Sequence, residues 1–159
     1  MSTPVDLDPL TLERQVCFAL AVTKRAVQAV YRPLLEPLGL THPQYLVMLA
    51  LWDHEKRDPQ HLAPLSVKHI AATLQLEPAT LSPMLKRLQA LGLITKTRRA
   101  ADERSTDVEL TEQGVALRER ALSIPEAVIA RLGVGLDELE ELRRLLTTIN
   151  AAALAAGSL

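Results

Sequence analysis

The sequence has little that would cross-link it covalently or place it in a membrane. A single cysteine among 159 residues excludes an internal disulfide framework, so we expect packing to provide the stability and a reducing cytoplasm to be the setting. No apolar run reaches the eighteen or so residues of a membrane span, and no cleavable signal is recognisable at the start. The apolar fraction of 48% is too high for a disordered chain, and the length allows one domain of ordinary size.

The chain also lacks a net charge that would indicate a polyanionic partner. Its 18 Lys and Arg nearly balance 19 Asp and Glu, for a net charge of −1. The distribution is polarised, however, because residues 68–104 contain seven basic and three acidic residues (+4), whereas the rest of the chain has 11 basic and 16 acidic ones (−5). This polarity indicates an anionic partner for the middle segment, although on charge alone a solvated surface explains it equally well.

Apolar residues that recur every three or four positions predict a mainly α-helical chain. A first long helix is expected to begin at Asp8-Pro9, where Asp can cap and Pro fits the first turn, and to bend or end at Pro33 and Pro37. The capping-box spacing Thr41-x-x-Gln44 predicts a second helix over about 43–52. The polar stretch 54–64 is interpreted as a loop.

The middle of the chain has the proportions of a winged helix-turn-helix. Ser66 can cap a helix that ends at Leu74, and after three residues Pro78 begins another that ends near Leu91. Two extended runs, 93–98 and 106–110, flank a charged stretch, 99–105, which predicts a wing with an exposed loop.

Two more helices are expected in the C-terminal part. Thr111 can cap one that runs to about residue 132 and bends near Pro125, and the capping-box spacing Asp137-x-x-Glu140 indicates the last one. The long first and last helices need a partner to bury their apolar stripes, so we expect a symmetric homodimer.

Several side chains in the basic segment suit double-stranded DNA. The second helix of a helix-turn-helix enters the major groove, where hydroxyls and cations can contact base edges or phosphates. Its outer side carries Thr80, Ser82, Pro83, Lys86 and Arg87. In the wing, Arg104 suits the minor groove and Asp102 is expected to steady its guanidinium, whereas Arg98 and Arg99 fit phosphate contacts. Each of these residues taken singly is ordinary on a solvated surface.

Residues 65–111 resemble the winged-helix core of the MarR family of bacterial transcriptional regulators. The resemblance is carried by the run LKRLQALGLI and by a wing that contains DERS and closes with Leu110-Thr111. It extends over nearly the whole chain, as a single domain over 1–159. It implies a mainly α fold with a small β-wing, in which helices at about 8–36 and 112–156 form a dimer. The expected function is that of a cytoplasmic repressor that binds a palindromic operator, without enzymatic activity, cofactor or metal.

Cys17 lies in the first helix, and a single cysteine is most often a small buried hydrophobe. The runs QVCFAL, VYRPLLEPLGLTHPQYLVMLALW and TLSPMLKRL, however, are similar to the organic-hydroperoxide-sensing branch of MarR regulators, called OhrR. That resemblance implies that Cys17 is the sensor and that Tyr31 is one of two tyrosines that hold it.

The second tyrosine of that branch is replaced by His42. A protonated His42 would lower the pKa of the thiol further and make sensing pH-dependent, or the residue is an inert member of the first turn of helix 2. With no second Cys, a sulfenic acid must be capped by a low-molecular-weight thiol or overoxidised.

Two other functions stay open at this point. The first is a MarR-type repressor that a small aromatic or phenolic ligand releases, with Cys17 structural. The second is a thiol peroxidase in which Cys17 turns over, although the resolving Cys is missing. His54, His61 and His69 are too scattered to indicate a metal site.

Overall fold

The computed structural model describes residues 9–60 and 62–157, and the statements below concern these residues. The chain divides into two compact units, one ending at Leu122 and the other beginning at Ser123. The elements are, in chain order, α1 (Val16–Leu35), α2 (His42–Arg57), β1 (Leu65–Ser66), α3 (Val67–Leu74), α4 (Pro78–Ala90), β2 (Ile94–Arg99), β3 (Asp102–Leu110), α5 (Glu112–Ala121), α6 (Ile124–Leu132) and α7 (Leu136–Gly157). The predicted fold class, mainly α with a small β-wing, is confirmed.

The first helix begins later than predicted. The expected start at Asp8 lies outside the described residues, and α1 begins only at Val16, after a 3-10 turn over Leu12–Arg14. The side-chain amide of Gln15 donates to the carbonyl of Pro9 at 2.7 Å, which holds the chain in this turn ahead of the helix. Pro33 lies in the last turns of α1, and Gly39 with φ of 71° ends the 3-10 turn that follows.

The second helix has the predicted start but is longer. The Thr41 hydroxyl accepts from the N–H of Gln44, and the Gln44 side chain accepts from the N–H of Thr41 at 3.0 Å, so the capping box is confirmed. The polar residues after Trp52 continue α2 to Arg57 instead of forming a loop. Charged residues are compatible with an exposed helical turn, where Asp53 and Arg57 pair at 2.9 Å, and only Pro59 stops the helix.

The two short helices form as predicted. The Ser66 hydroxyl accepts from the N–H of His69 at 3.1 Å at the start of α3, and Gln75 with φ of 53° makes the turn. In α4, Leu81, Leu85 and Leu88 are buried. The opposite side of α4 is thereby exposed.

The sheet corrects the predicted wing in two ways. A short strand, β1, was not predicted; it pairs antiparallel with β3, and the strand order is β1-β3-β2. The stretch 99–105 is also not a loop, because β2 extends to Arg99, β3 begins at Asp102 and only two residues turn between them. Arg98 pairs with Thr106 and Arg99 with Asp102, so residues 103–105 form a bulge in β3. The bulge accommodates the extra polar residues of β3, for which the sequence predicted an exposed loop.

The wing is attached to the helical core at Gly114. The indole N–H of Trp52 donates to the Gly114 carbonyl at 2.9 Å in the interior. A Cβ on Gly114 would lie 2.1 Å from the carbonyl oxygen of Leu93, at the start of the wing. The Thr111 hydroxyl accepts from the N–H of Gly114 and donates to the carbonyl of Gly92, which confirms Thr111 as the cap of α5. The end of α2, the base of the wing and the start of α5 are therefore in tight contact.

The second unit begins with α6, so the predicted helix over 111–132 is two helices. Pro125 lies in the first turn of α6, where proline is tolerated. The predicted box of Asp137 and Glu140 is also wrong, because α7 begins at Leu136 and the Glu138 carboxylate accepts from the N–H of Gly135 at 3.1 Å. Glu140 instead pairs with Arg143. Among the described helices, none is long and apolar enough to cross a membrane.

Candidate DNA-binding and thiol sites

The five side chains predicted to read DNA on α4 are all exposed. Thr80, Ser82, Pro83, Lys86 and Arg87 lie away from the buried leucine stripe, as a helix that enters the major groove requires. Pro83 lies inside the helix without ending it. The arrangement leaves one continuous polar side of α4 available to a duplex.

A groove of about 620 Å³ separates α4 from the wing. It brings Ser82 of α4 together with Asp102 and Arg104 of the wing, residues that are distant in sequence. Two further cations, Lys68 near the start of α3 and Lys96 in β2, also line it. The sequence alone does not assign these lysines to the site, because only the folded chain brings Lys68 and Lys96 to one groove. Three cations and one carboxylate give the groove a net positive charge, which suits the phosphate backbone of DNA.

The wing arginines differ in what they contact. The Nε of Arg99 donates to both carboxylate oxygens of Asp107, at 2.8 and 2.9 Å, which raises the pKa of Arg99 and ties it to β3. Arg98 and Arg104 are exposed, and their guanidinium groups form no ion pair within the described part of the chain. The Asp102 carboxylate accepts from the backbone N–H of Arg104 at 3.0 Å. It therefore steadies the turn of the wing, and not the Arg104 guanidinium as the sequence predicted.

The structure brings together two of the three predicted sensing residues. The rings of Tyr31, in α1, and His42, at the start of α2, lie edge to face with centroids 4.8 Å apart. Cys17 is exposed near the start of α1. At ~1.5 Å per residue, the helix separates Cys17 from Tyr31 by about 21 Å. Within one chain, the thiol therefore does not reach the Tyr31–His42 pair.

Tyr31 and His42 are held in their neutral forms at neutral pH. Burial raises the pKa of the Tyr31 phenol, and burial together with the charge of Lys24 lowers the pKa of His42. The amide nitrogen of Gln28 lies 3.4 Å from Nδ1 of His42, a contact that suits a neutral ring with its proton on Nε2. The protonated His42 that the sequence suggested is therefore disfavoured, and the pair presents two neutral donors.

The other histidines have different surroundings. Nε2 of His54 lies 2.6 Å from the carbonyl oxygen of Ala63, and Asp58 accepts from the N–H of Ala63, so both hold the connection to β1. His69 is exposed in α3, and His61 lies outside the described residues. Over residues 9–60 and 62–157, no three potential metal ligands of the His, Cys, Asp or Glu type lie together.

Comparison with known proteins relates this geometry to a family. Residues 29–120 match the family described as transcriptional regulator SarA/Rot. The organic hydroperoxide resistance transcriptional regulator of Bacillus subtilis is 40% identical over 142 residues, which cover 89% of this chain and 91% of that protein. The chain belongs to the MarR/SarA family of winged-helix transcriptional regulators.

Solved MarR/SarA-type structures agree with this assignment. Reduced AbfR bound to DNA, a protein of Staphylococcus epidermidis, has a TM-score of 0.74 and 28% identity over 91% of this chain and 93% of that one. CouR of Rhodococcus jostii, solved on a 23-mer DNA duplex, has a TM-score of 0.74 and 26% identity over 91% and 99% of the two chains. The protein is therefore a DNA-binding transcriptional regulator, and its relatives are regulators rather than enzymes.

Proposed function

We propose that the protein is a cytoplasmic homodimeric repressor that binds its operator while Cys17 is reduced and releases it after organic hydroperoxide oxidises that thiol. The observation that carries the proposal is the exposed Cys17 on α1, the helix that also carries Tyr31. Tyr31 and His42 form a pair of neutral donors that the thiol cannot reach within one chain. The 40% identity to a regulator named for organic hydroperoxide resistance supports the choice of oxidant.

The dimer completes this sensing site. α7 has no buried residue, and its apolar stripe is open to solvent: Leu142, Leu145, Leu146, Ile149 and Leu154 are 37–52% exposed. Val16 and Leu20, on either side of Cys17, are 59% and 39% exposed. A second copy of the chain packed on these surfaces buries them. If the α1 helices of the two copies run antiparallel, Cys17 of one chain lies next to the Tyr31–His42 pair of its partner.

The chemical step needs only the thiol and the oxidant. The Cys17 thiolate attacks the distal oxygen of the hydroperoxide, an S–O bond forms and the O–O bond breaks. The sulfur is oxidised to sulfenic acid, and the hydroperoxide is reduced to an alkoxide that takes up a proton and leaves as an alcohol. The hydroxyl of Tyr31 and Nε2–H of His42 stabilise the developing negative charge as donors. The sulfenic acid is then capped by a low-molecular-weight thiol or overoxidised, because the chain has no second Cys.

Operator release follows from the symmetry of such a dimer. Two recognition helices bind a palindrome only if they are about 34 Å apart, one turn of DNA. Oxidation where α1 helices meet changes the packing of the dimer, and a modest rotation moves the recognition helices out of register with the DNA.

In the DNA-bound state, the major groove is faced by Thr80, Ser82, Pro83, Lys86 and Arg87, and the minor groove by Arg104. Arg98 and Arg99 contact phosphate, and Asp102 holds the wing turn.

A gel-shift titration tests this proposal. Operator DNA selected from random sequence is bound by wild-type protein and by Cys17→Ser, with and without an organic hydroperoxide, and mass spectrometry follows the oxidation of Cys17. We expect the hydroperoxide to release the wild type only. Equal release of Cys17→Ser would show that the thiol is not the sensor. Release of reduced wild type by a phenolic ligand would favour the ligand-controlled repressor, and sustained hydroperoxide consumption with a thiol reductant would favour a peroxidase.

A further inference from the structure

The helix α4 contains a proline in its interior. Pro83 lies within the 13 residues of Pro78–Ala90, and the helix continues through it. Because proline has no backbone N–H, the carbonyl of Ala79, four residues earlier, lacks the donor that an uninterrupted helix provides. The pyrrolidine ring also occupies the space of the missing N–H, so that this carbonyl tilts away from the helix axis. The Ala79 oxygen therefore keeps acceptor capacity that the helix does not use.

This oxygen lies in the middle of the exposed side of α4. At about 100° per residue, Ala79 and Pro83 lie opposite the buried leucine stripe, and both residues are exposed. A helical carbonyl points toward the residue four positions later, which places the oxygen between Ala79 and Pro83 on that side. A duplex that lies against the polar side of α4 therefore meets this oxygen.

Neither the core nor a neighbouring side chain accounts for this proline. A proline in a helix interior destabilises the helix, and the exposed Pro83 contributes nothing to the core. Among the described residues, the hydroxyls that donate to a carbonyl of their own helix are those of Thr147 and Thr148, and Ser82 is not one of them. The carbonyl of Ala79 is thus left open on the side where DNA is expected.

The side chains on this side of α4 offer donors but no dedicated acceptor. Lys86 and Arg87 only donate, whereas the hydroxyls of Thr80 and Ser82 both donate and accept. Residues 78–88 contain no Asp, Glu, Asn or Gln. In the major groove, guanine and thymine present carbonyl oxygens, whereas cytosine and adenine present the amino groups at N4 and N6. An acceptor that cannot donate distinguishes the amino-bearing bases from the other two.

We propose that the Ala79 carbonyl accepts a hydrogen bond from the exocyclic amino group of cytosine or adenine in the operator; this inference rests on the proposed placement of α4 in the major groove. Pro83 is a positioning residue for base specificity, because it leaves the acceptor open without itself contacting the amino group. In a symmetric dimer the selected base occurs once in each half-site.

The base preference of the reduced full-length protein tests this contact. Each position of an operator selected from random sequence is replaced symmetrically by the other three base pairs, and fluorescence anisotropy gives the ratios of Kd. The wild type is compared with Pro83→Ala, which restores the N–H, and with the matched control Pro78→Ala. Pro78 is the first residue of α4, where the N–H has no helical carbonyl to bond. A fourth protein is Pro83→Ala with an ester in place of the peptide bond between residues 82 and 83, so that it lacks both the ring and the N–H.

We expect one position in each half-site at which the wild type prefers cytosine or adenine over guanine and thymine by roughly tenfold, the scale of one base contact. The preference should fall toward one in Pro83→Ala and persist in Pro78→Ala and in the ester protein. At that position, 2-pyrimidinone in place of cytosine or unsubstituted purine in place of adenine removes the amino group. This change should weaken the wild type by the same factor, leave Pro83→Ala unaffected and identify which base donates.

A wild type without such a position, or a preference unchanged in Pro83→Ala, would overturn the carbonyl contact. A preference lost in both Pro83→Ala and the ester protein would overturn it too, because the proline ring would then read the base. Lys86→Ala separates this inference from the placement of α4. If Lys86→Ala weakens operator binding roughly tenfold while Pro83→Ala keeps the preference, the carbonyl contact is wrong and α4 still binds DNA. If neither variant changes affinity or preference, the placement of α4 is wrong as well.

Discussion

At the scale of single residues, His42 illustrates how surroundings select a protonation state. Its ring is half-buried beside the rings of Tyr31 and Tyr45, and Lys24 adds a positive charge from α1. Both effects penalise the imidazolium, so His42 is neutral at neutral pH. The proposed sensing at neutral pH then does not require a charged histidine.

The lowered pKa of His42 predicts a pH dependence of stability. In the unfolded chain, His42 has the ordinary pKa of about 6.5, whereas in the folded chain its pKa is lower. Between these two pKa values the unfolded state binds more protons than the folded state. Stability should therefore fall as the pH drops below about 6.5 and level off below the lowered pKa. Urea unfolding from neutral pH to about pH 5 should show a smaller loss for His42→Gln than for the wild type.

The exposed His69 provides the control for this measurement. His69→Gln, which removes an imidazole from α3, is the matched substitution. A His42→Gln variant that loses as much stability on acidification as the wild type would contradict the assigned environment.

Arg104 carries a second prediction at this scale. Its guanidinium is exposed at the groove between α4 and the wing and has no ion-pair partner among the described residues. Arg104→Ala should weaken operator binding by about 1–3 kcal/mol, leave the unfolding midpoint unchanged and reduce the salt dependence by about one counterion. Fluorescence anisotropy at several salt concentrations measures both effects. Arg25→Ala removes the same charge from α1, and an equal loss of affinity there would argue against a specific wing contact.

At the scale of elements, the contact at Gly114 determines where the wing lies. The hydrogen bond from Trp52 and the close approach of the Leu93 carbonyl join α2, α5 and the base of the wing. Only glycine permits that approach, because any side chain would meet backbone that cannot move independently. The separation of α4 from the wing, and thus the groove between them, depends on this junction.

Gly114→Ala should therefore destabilise the protein by about 1–3 kcal/mol or more, since its Cβ would lie 2.1 Å from the Leu93 oxygen. Trp52→Phe, which leaves the buried Gly114 carbonyl without its donor, should cost about 1–3 kcal/mol. Urea denaturation measures both. Gly157→Ala, where a Cβ meets nothing within 4 Å, is the matched control. Unchanged urea midpoints in both Gly114→Ala and Trp52→Phe would contradict the proposed role of this junction.

At the scale of the whole molecule, the apolar stripes outside the core are the feature that needs an explanation. Six large aliphatic side chains of α7 are substantially exposed, and no part of the chain that the structure describes covers them. Monomeric proteins rarely keep such continuous apolar patches. The proposed homodimer removes them and also assembles the sensing site from two chains.

A charge placed in the α7 stripe tests this assembly. Ile149→Glu should shift the protein toward monomers and lower operator affinity, because one recognition helix alone cannot bind both half-sites of a palindrome. Ala151→Glu adds the same charge on the opposite side of α7 and should leave the dimer intact. Sedimentation velocity separates the outcomes, and a dimeric Ile149→Glu would exclude this stripe from the interface.

The sequence by itself determined the features that depend on local chemistry. The caps at Thr41, Ser66 and Thr111 were predictable because their hydroxyls bond to N–H groups a few residues away, and the α4 leucine stripe follows from the helical period. The fold class also follows from such patterns, whereas the family was indicated by the resemblance of several sequence runs to a known family. The polar stretches were predicted wrongly as loops: residues 54–57 form helix and residues 102–105 belong to a strand, because polarity shows exposure and not backbone conformation.

Only the tertiary structure decided which distant groups meet. β1 forms because β3 offers it a free edge, which no two-residue pattern can indicate. The contact of Tyr31 with His42 and the grouping of cations around the α4 groove depend on how helices and strands pack. Packing also determines the pKa of His42, since burial and the distance to Lys24 exist only in the folded chain.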